Sequence, residues 1–343
     1  MPEKKTYTLL VINPGSTSTK ISVYDDEVSR FERSVQHEAQ ELLQYPHVND
    51  QVPMRCRVIE EMLAGEGMKL SDIDVFIGRG GSAHTQPGGV TVIDERLYND
   101  TVAGVGGSEH AAKLGVMIAW VFMNEYHKPG YTLNPTAVAE HHAGVLGRTY
   151  EDCDFVVAHI DGGVTVTAHK HGRIIDGTMG SDGDGPFAPT RIGAIPVLPL
   201  LDYIEAHSLD EVRLACSRSG GFVSFFGTSN SDKVHALVDR GDPKAMLVWN
   251  AMIYQICKCI GACSCVLEGK VDAILLTGGL MRFDDITEGI RRRCGWIAPI
   301  AVYPGEMEQD AMALPVMKVL RGEATAMTYS GRDVWQGFVG MDL

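Results

Sequence analysis

Read as a string of apolar and polar positions, the chain alternates between short β-type runs and longer helical ones. Residues 7–12 form an apolar run that stops at Asn13-Pro14-Gly15-Ser16, and residues 17–24 resume with alternating Thr, Ile and Val. That pattern predicts strand, tight polar turn, strand. It returns just under half the chain later, where residues 155–160 lead into Asp161-Gly162-Gly163 and residues 164–169 follow as a second β-type run. A further pair aligns without a gap. Ile73-Asp74-Val75-Phe76-Ile77-Gly78-Arg79-Gly80-Gly81 matches Val271-Asp272-Ala273-Ile274-Leu275-Leu276-Thr277-Gly278-Gly279, and both read as a buried strand running into a Gly-Gly turn. Two hairpin-plus-strand modules in the same order predict duplicated α/β halves.

Helical periodicity fills the intervals, over residues 54–66 and 107–126 in the first half and over 198–207, 232–240, 243–267 and 284–293 in the second. A last helix is predicted over 306–320, just after Pro304-Gly305. The expected division is a first domain of 1–150 completed by 310–343 and a second of 151–309. No low-complexity linker separates them, so a cleft between closely packed halves is expected.

Composition narrows the function. The 343 residues carry 30 Lys and Arg against 44 Asp and Glu, a formal net charge of −14. With no basic run longer than Arg291-Arg292-Arg293, binding to nucleic acid by charge alone is disfavoured. The longest nearly uncharged stretch, 245–267, contains Lys258, Asn250 and Gln255 and reads as a buried helix rather than a membrane span. The N-terminal residues lack a signal-peptide pattern, so a cytoplasmic location with reduced thiols is expected. Cys257, Cys259, Cys263 and Cys265 lie in a helical pattern that cannot turn all four to one side, so they read as small core residues rather than a metal site. His141-His142 and His169/His171 lack a third ligand and read as surface or hydrogen-bonded histidines. Glu32-Arg33 and residues 38–41 read as solvated helix-face charges.

Three Gly-containing turns could carry chemistry. Asn13-Pro14-Gly15-Ser16-Thr17-Ser18-Thr19-Lys20 gathers hydroxyls, backbone N–H groups and one cation, which suits a polyanion. It is not a P-loop: the second Gly is replaced by Thr19, no Ser or Thr follows Lys20, and a strand follows instead of a helix. An ordinary hairpin turn is the alternative reading. Asp161-Gly162-Gly163 places a carboxylate at a hairpin tip, which suits a Mg²⁺–phosphate unit. Thr277-Gly278-Gly279 ends a strand and permits close approach by a nucleotide.

In combination and order, these segments resemble the acetate/butyrate kinase family of the actin–sugar kinase–chaperone superfamily, and butyrate kinases most closely. Val11-Ile12 with the first loop, Gly78-Arg79-Gly80-Gly81, Val157-Ala158-His159, Asp182-Gly183-Asp184-Gly185-Pro186-Phe187, Leu276-Thr277-Gly278-Gly279 and Tyr303-Pro304-Gly305-Glu306 carry the resemblance along nearly the whole chain. It implies an α/β fold of two duplicated ribonuclease H-like, actin-like ATPase domains with a nucleotide cleft between them. It also implies a reversible ATP-dependent kinase that converts a short- or branched-chain fatty acid to an acyl phosphate with ATP/ADP and Mg²⁺. Relatives self-associate, which implies a homodimer or larger homo-oligomer.

Residue by residue, the resemblance gives Arg79 the carboxylate or acyl phosphate, His159 a hydrogen bond to the transferring group, and Arg191 the reacting phosphoryl. Asn13, Ser16, Ser18 and Lys20 belong to the first phosphate loop, and Asp161, Gly162 and Gly163 to the second. Thr277, Gly278 and Gly279 take the adenosine side, and Glu306 positions Mg²⁺, with Asp161 as a further metal candidate. The chain departs from the family pattern at Tyr131, Glu140, Asp161 and Ser229. Those departures keep two other readings open: a nucleotide-binding paralogue without turnover, and a kinase for a different carboxylic acid.

Overall fold

The computed structural model describes residues 6–15, 18–42, 44–80, 83–84, 86, 89–105, 111–133, 137–304 and 308–333. Ser16, Gly81 and Glu306 lie outside the described residues. The chain divides into two compact units, Met1–Ala137 with Glu308–Leu343, and Val138–Met307.

The first unit is built on strands β1 (Thr8–Pro14), β2 (Ser18–Asp25), β3 (Val28–Gln36), β4 (Val75–Arg79), β5 (Thr91–Val92) and β6 (Gly130–Leu133), in spatial order β3-β2-β1-β4-β6-β5. β1 pairs antiparallel with β2 and parallel with β4, with Asn13 opposite Lys20. The second unit contains β7 (Asp154–Ile160), β8 (Val164–Lys170), β9 (Arg173–Gly177), β10 (Ala273–Gly278) and β11 (Ile300–Pro304), in order β11-β10-β7-β8-β9. β7 pairs antiparallel with β8 and parallel with β10, so Thr277 stands beside His159. Read from the same edge, β9-β8-β7-β10-β11 repeats β3-β2-β1-β4-β6. The two hairpins and the two strand-to-glycine runs therefore occupy equivalent places, as the repeated patterning predicts.

Each sheet is covered by helices whose apolar face matches the predicted period. In the first unit the helices Val52–Gly65 and Lys113–Tyr126 bury Ile59, Leu63, Val116, Ile118 and Phe122 against β-residues such as Ile12, Ile21 and Phe76. On the other face the helix Glu308–Leu320 sets Met312, Ala313, Val316 and Met317 against Leu9, Val11, Val75 and Ile77. Gly78 and Gly115 let the helix Lys113–Tyr126 approach β4 so closely that a methyl on either would meet the other's backbone or that of Arg79. In the second unit the long helix Pro243–Val266 buries Trp249, Met252, Ile256 and Ile260 in the core with Val156, Val166 and Leu276. It is long and apolar enough to cross a membrane by length and composition. Of its cysteines, Cys257 and Cys263 are buried in the core, Cys259 is partly buried and Cys265 is exposed.

Two expectations are corrected. Glu32 and Arg33 lie on strand β3 rather than on a helix face, because the hairpin continues into a third strand whose mostly polar positions are solvated. From Val138 onward the helix Ala137–Val145 groups with the second unit, since Ala139 and Ala143 pack with Phe155, Ala273 and Leu275.

Candidate active site

In the first unit, the end of β1 and the end of β4 are neighbours, so Asn13 and Arg79 emerge side by side. Arg79 Nη1 donates to Asn13 Oδ1 at 3.1 Å. Asn13 is 3% exposed. The turn between β1 and β2 closes through the Gly15 amide, which donates to the Ser18 carbonyl at 2.9 Å. Lys20 lies one step further along β2, with its ammonium 3.5 Å from Glu32 of β3.

Beneath this turn lies a group that sequence reasoning missed. Arg55, on the helix Val52–Gly65, is fully buried. It donates through Nη1 to the Ser18 carbonyl and to Thr19 Oγ1, and through Nε and Nη2 to Gln51 Oε1 at 3.1 and 2.9 Å. Thr19 Oγ1 in turn lies 2.7 Å from His37 Nε2. Burial, and secondarily the nearby Arg55 charge, push the His37 imidazole down to about 4, so it is neutral at pH 7. Burial lowers the Arg55 guanidinium to about 10, which leaves it charged. The signal was present in the sequence: Arg55 shares the spacing of Ile59 and Leu63 on the apolar stripe.

In the second unit, the ends of β7 and β10 bring together most of the remaining candidates. His159 is half-buried at the end of β7, beside Thr277. The following hairpin closes with the Asp161 amide donating to the Gly163 carbonyl at 2.9 Å. The segment Ala188–Arg191 docks on this tip. Thr190 donates to the Gly162 carbonyl through both its amide, at 3.1 Å, and its hydroxyl, at 2.8 Å. The Arg191 guanidinium lies flat against Gly163, where an added methyl would stand 2.5 Å from Cζ. Arg191 is 7% exposed. Burial pushes its guanidinium down from its ordinary value, and Asp182 partly opposes that shift. Gly278 adopts a left-handed φ of 104° against the Ile160 backbone, and a methyl on Gly279 would lie 3.1 Å from Asp161 Oδ1. Thr190 is a second residue whose role the sequence did not disclose; only the neighbouring Arg191 was singled out.

The geometry thus forms two groups. Asn13, Ser18, Lys20 and Arg79 gather at the tip of the first sheet. His159, Asp161, Gly162, Gly163, Arg191, Thr277, Gly278 and Gly279 gather at the tip of the second. Of the four histidines, His141 and His171 are exposed, whereas two are hydrogen-bonded core groups: His142 Nδ1 lies 2.7 Å from Tyr303 Oη, and His169 lies 2.7 Å from Tyr150 Oη and 2.8 Å from Thr167 Oγ1.

Residues 130–285 match the Acetokinase family. Among solved structures, the fold is similar to an acetate kinase from Porphyromonas gingivalis, with TM-score 0.68 and 15% identity over 92% of this chain and 100% of that one. It is similar to a propionate kinase from Francisella tularensis subsp. tularensis, with TM-score 0.67 and 16% identity over 90% and 98%. An acetate kinase from Entamoeba histolytica gives TM-score 0.67 and 14% identity over 92% and 98%. At these identities the structural likeness speaks for the fold: two actin-like α/β domains. Residues 130–285 are thus similar to the Acetokinase family, and the chain shares the fold of these acetate and propionate kinases.

Proposed function

We propose that the protein is an ATP:carboxylate phosphotransferase of butyrate-kinase type. It moves the γ-phosphoryl group of ATP to a short- or branched-chain fatty acid and, in reverse, forms ATP from the acyl phosphate. The observation that carries this reading is the buried Arg191 guanidinium held against Gly163 at the tip of the second hairpin. In-line phosphoryl transfer needs little covalent help, so fixed cations and donors supply most of the catalysis. A guanidinium stacked on a glycine, with a neighbouring Thr190 tying down the same turn, is such a fixed cation.

The other residues take roles their surroundings suit. Asn13 Oδ1 holds one edge of the Arg79 fork, which presents that cation to the carboxylate or acyl phosphate. His159 donates to the transferring group. Ser18, Lys20 and, outside the described residues, Ser16 receive phosphate oxygens, as do the Gly162 and Gly163 amides. Thr277, Gly278 and Gly279 receive the nucleoside side.

Mg²⁺ fits the donor set. No three His, Cys, Asp or Glu side chains gather as a cage among the described residues, and Mg²⁺ usually binds through one or two carboxylates plus substrate phosphates. Asp161 would hold the ion together with the nucleotide, joined by Glu306. When bound, the ion offsets charge on the β- and γ-oxygens.

Purified protein with ATP, Mg²⁺ and hydroxylamine should give acyl hydroxamate with at least one acid between formate and hexanoate or their branched analogues. No product across that panel, with an acetate kinase reacting in parallel, overturns the proposal. A preference for four- or five-carbon acids over acetate and propionate is the expected order.

A further inference from the structure

We propose that Arg55 is a buried counter-charge for the anion held at the first hairpin, a positioning and electrostatic residue beneath the loop. The inference rests on the phosphate-transfer reading above and identifies a further residue within it.

Three observations carry it. Arg55 is completely buried, yet every hydrogen bond it makes goes to a neutral oxygen: the Ser18 carbonyl, Thr19 Oγ1 and Gln51 Oε1. A buried ion is normally paired, because desolvation costs several kcal/mol that neutral acceptors recover only in part. The charge is also placed where the chain turns: the Ser18 carbonyl accepts from Arg55 and from the Gly15 amide that closes the hairpin. Finally, the second cation of the turn has a carboxylate beside it, Glu32 at 3.5 Å from Lys20, and the neighbouring His37 is neutral at pH 7. Arg55, under the loop, has no carboxylate in hydrogen-bond range among the described residues, and Glu41 acts on it only through space. An anion docked at the turn would supply the counter-charge, through low-dielectric protein where attraction is screened weakly.

Gln51→Glu separates charge from structure. It is nearly isosteric, keeps the acceptor for Nε and Nη2, and neutralises Arg55 in place. Arg55→Lys does the reverse, keeping the charge while losing the fork. Inorganic pyrophosphate and MgADP are titrated separately into each full-length protein by calorimetry, with melting curves alongside. Gln51→Glu is expected to melt at or above the wild-type temperature, yet to bind pyrophosphate and MgADP about 5- to 10-fold more weakly. The KM for ATP should rise by the same factor, with the KM for the acid unchanged. Arg55→Lys is expected to melt earlier but keep affinity within about twofold. Wild-type affinity in Gln51→Glu overturns the inference and makes Arg55 a purely structural brace. Wild-type protein that binds neither probe overturns the functional reading, and this inference with it.

Discussion

Arg79 and Arg191 are both held by neighbours, and under the proposed function that restraint is where their catalytic value would lie. Asn13 fixes one edge of the Arg79 fork, and Gly163 forms a floor under Arg191. An arginine acting on a transferring phosphoryl group is worth ~10³–10⁵ in rate. Arg79→Ala and Arg191→Ala are therefore each expected to lower turnover by about 10³-fold or more, read by ADP release, while the far-ultraviolet circular dichroism spectrum stays that of wild type. A loss under tenfold in either would remove that arginine from the mechanism. Gly163→Ala probes the floor itself: its methyl would displace the guanidinium, and a shift of about 1 Å in a positioned group can cost ~10²-fold. Turnover should fall by about that factor with the KM for the acid little changed.

At the scale of elements, strand ends carry the candidate residues and helices set how tightly they are held. The helix Lys113–Tyr126 reaches the backbone of β4 only because Gly115 meets Gly78 and the carbonyl side of Arg79. Overpacking of this kind costs ~1–3 kcal/mol, so Gly115→Ala should lower the melting temperature by several degrees and reduce activity through Arg79. Unchanged melting would show that the helix can slide. Both hairpins and the strands leading to Arg79 and Thr277 were readable beforehand, since period-2 apolar runs broken by Asn, Pro and Gly are strong local signals. The polar strand β3 was not, because Glu32 and Arg33 in a charged run look the same on an exposed strand as on a helix. Arg55 and Thr190 escaped for a related reason. The apolar stripe marks Arg55 as buried but not what it touches, and its partner Ser18, like Gly162 for Thr190, is too distant in sequence for spacing to reveal the contact.

For the molecule as a whole, two buried histidines, one per unit, tie stability to pH. His37 and His169 are each pushed down to about 4, chiefly by burial. Between their ordinary value near 6.5 and about 4, the unfolded chain binds protons that the folded chain refuses, so stability is lost as pH falls through that window and is fully present above it. Each group accounts for roughly 3 kcal/mol at its lower limit. The melting temperature should drop steadily from pH 7 to pH 4.5, and the slope should flatten in a His37→Gln, His169→Gln double variant. An equally steep slope in that variant would assign the acid sensitivity to other groups. A last consequence follows from the path of the backbone. The second unit is one uninterrupted stretch, whereas the first closes only when Met312, Val316 and Met317 slide beneath β1 and β4. During synthesis the later-encoded unit can therefore mature while the earlier one waits, its sheet bare on one side, for the final helix to leave the ribosome. A chain stopped at residue 307 should accordingly resist protease from 138 onward and be digested before it.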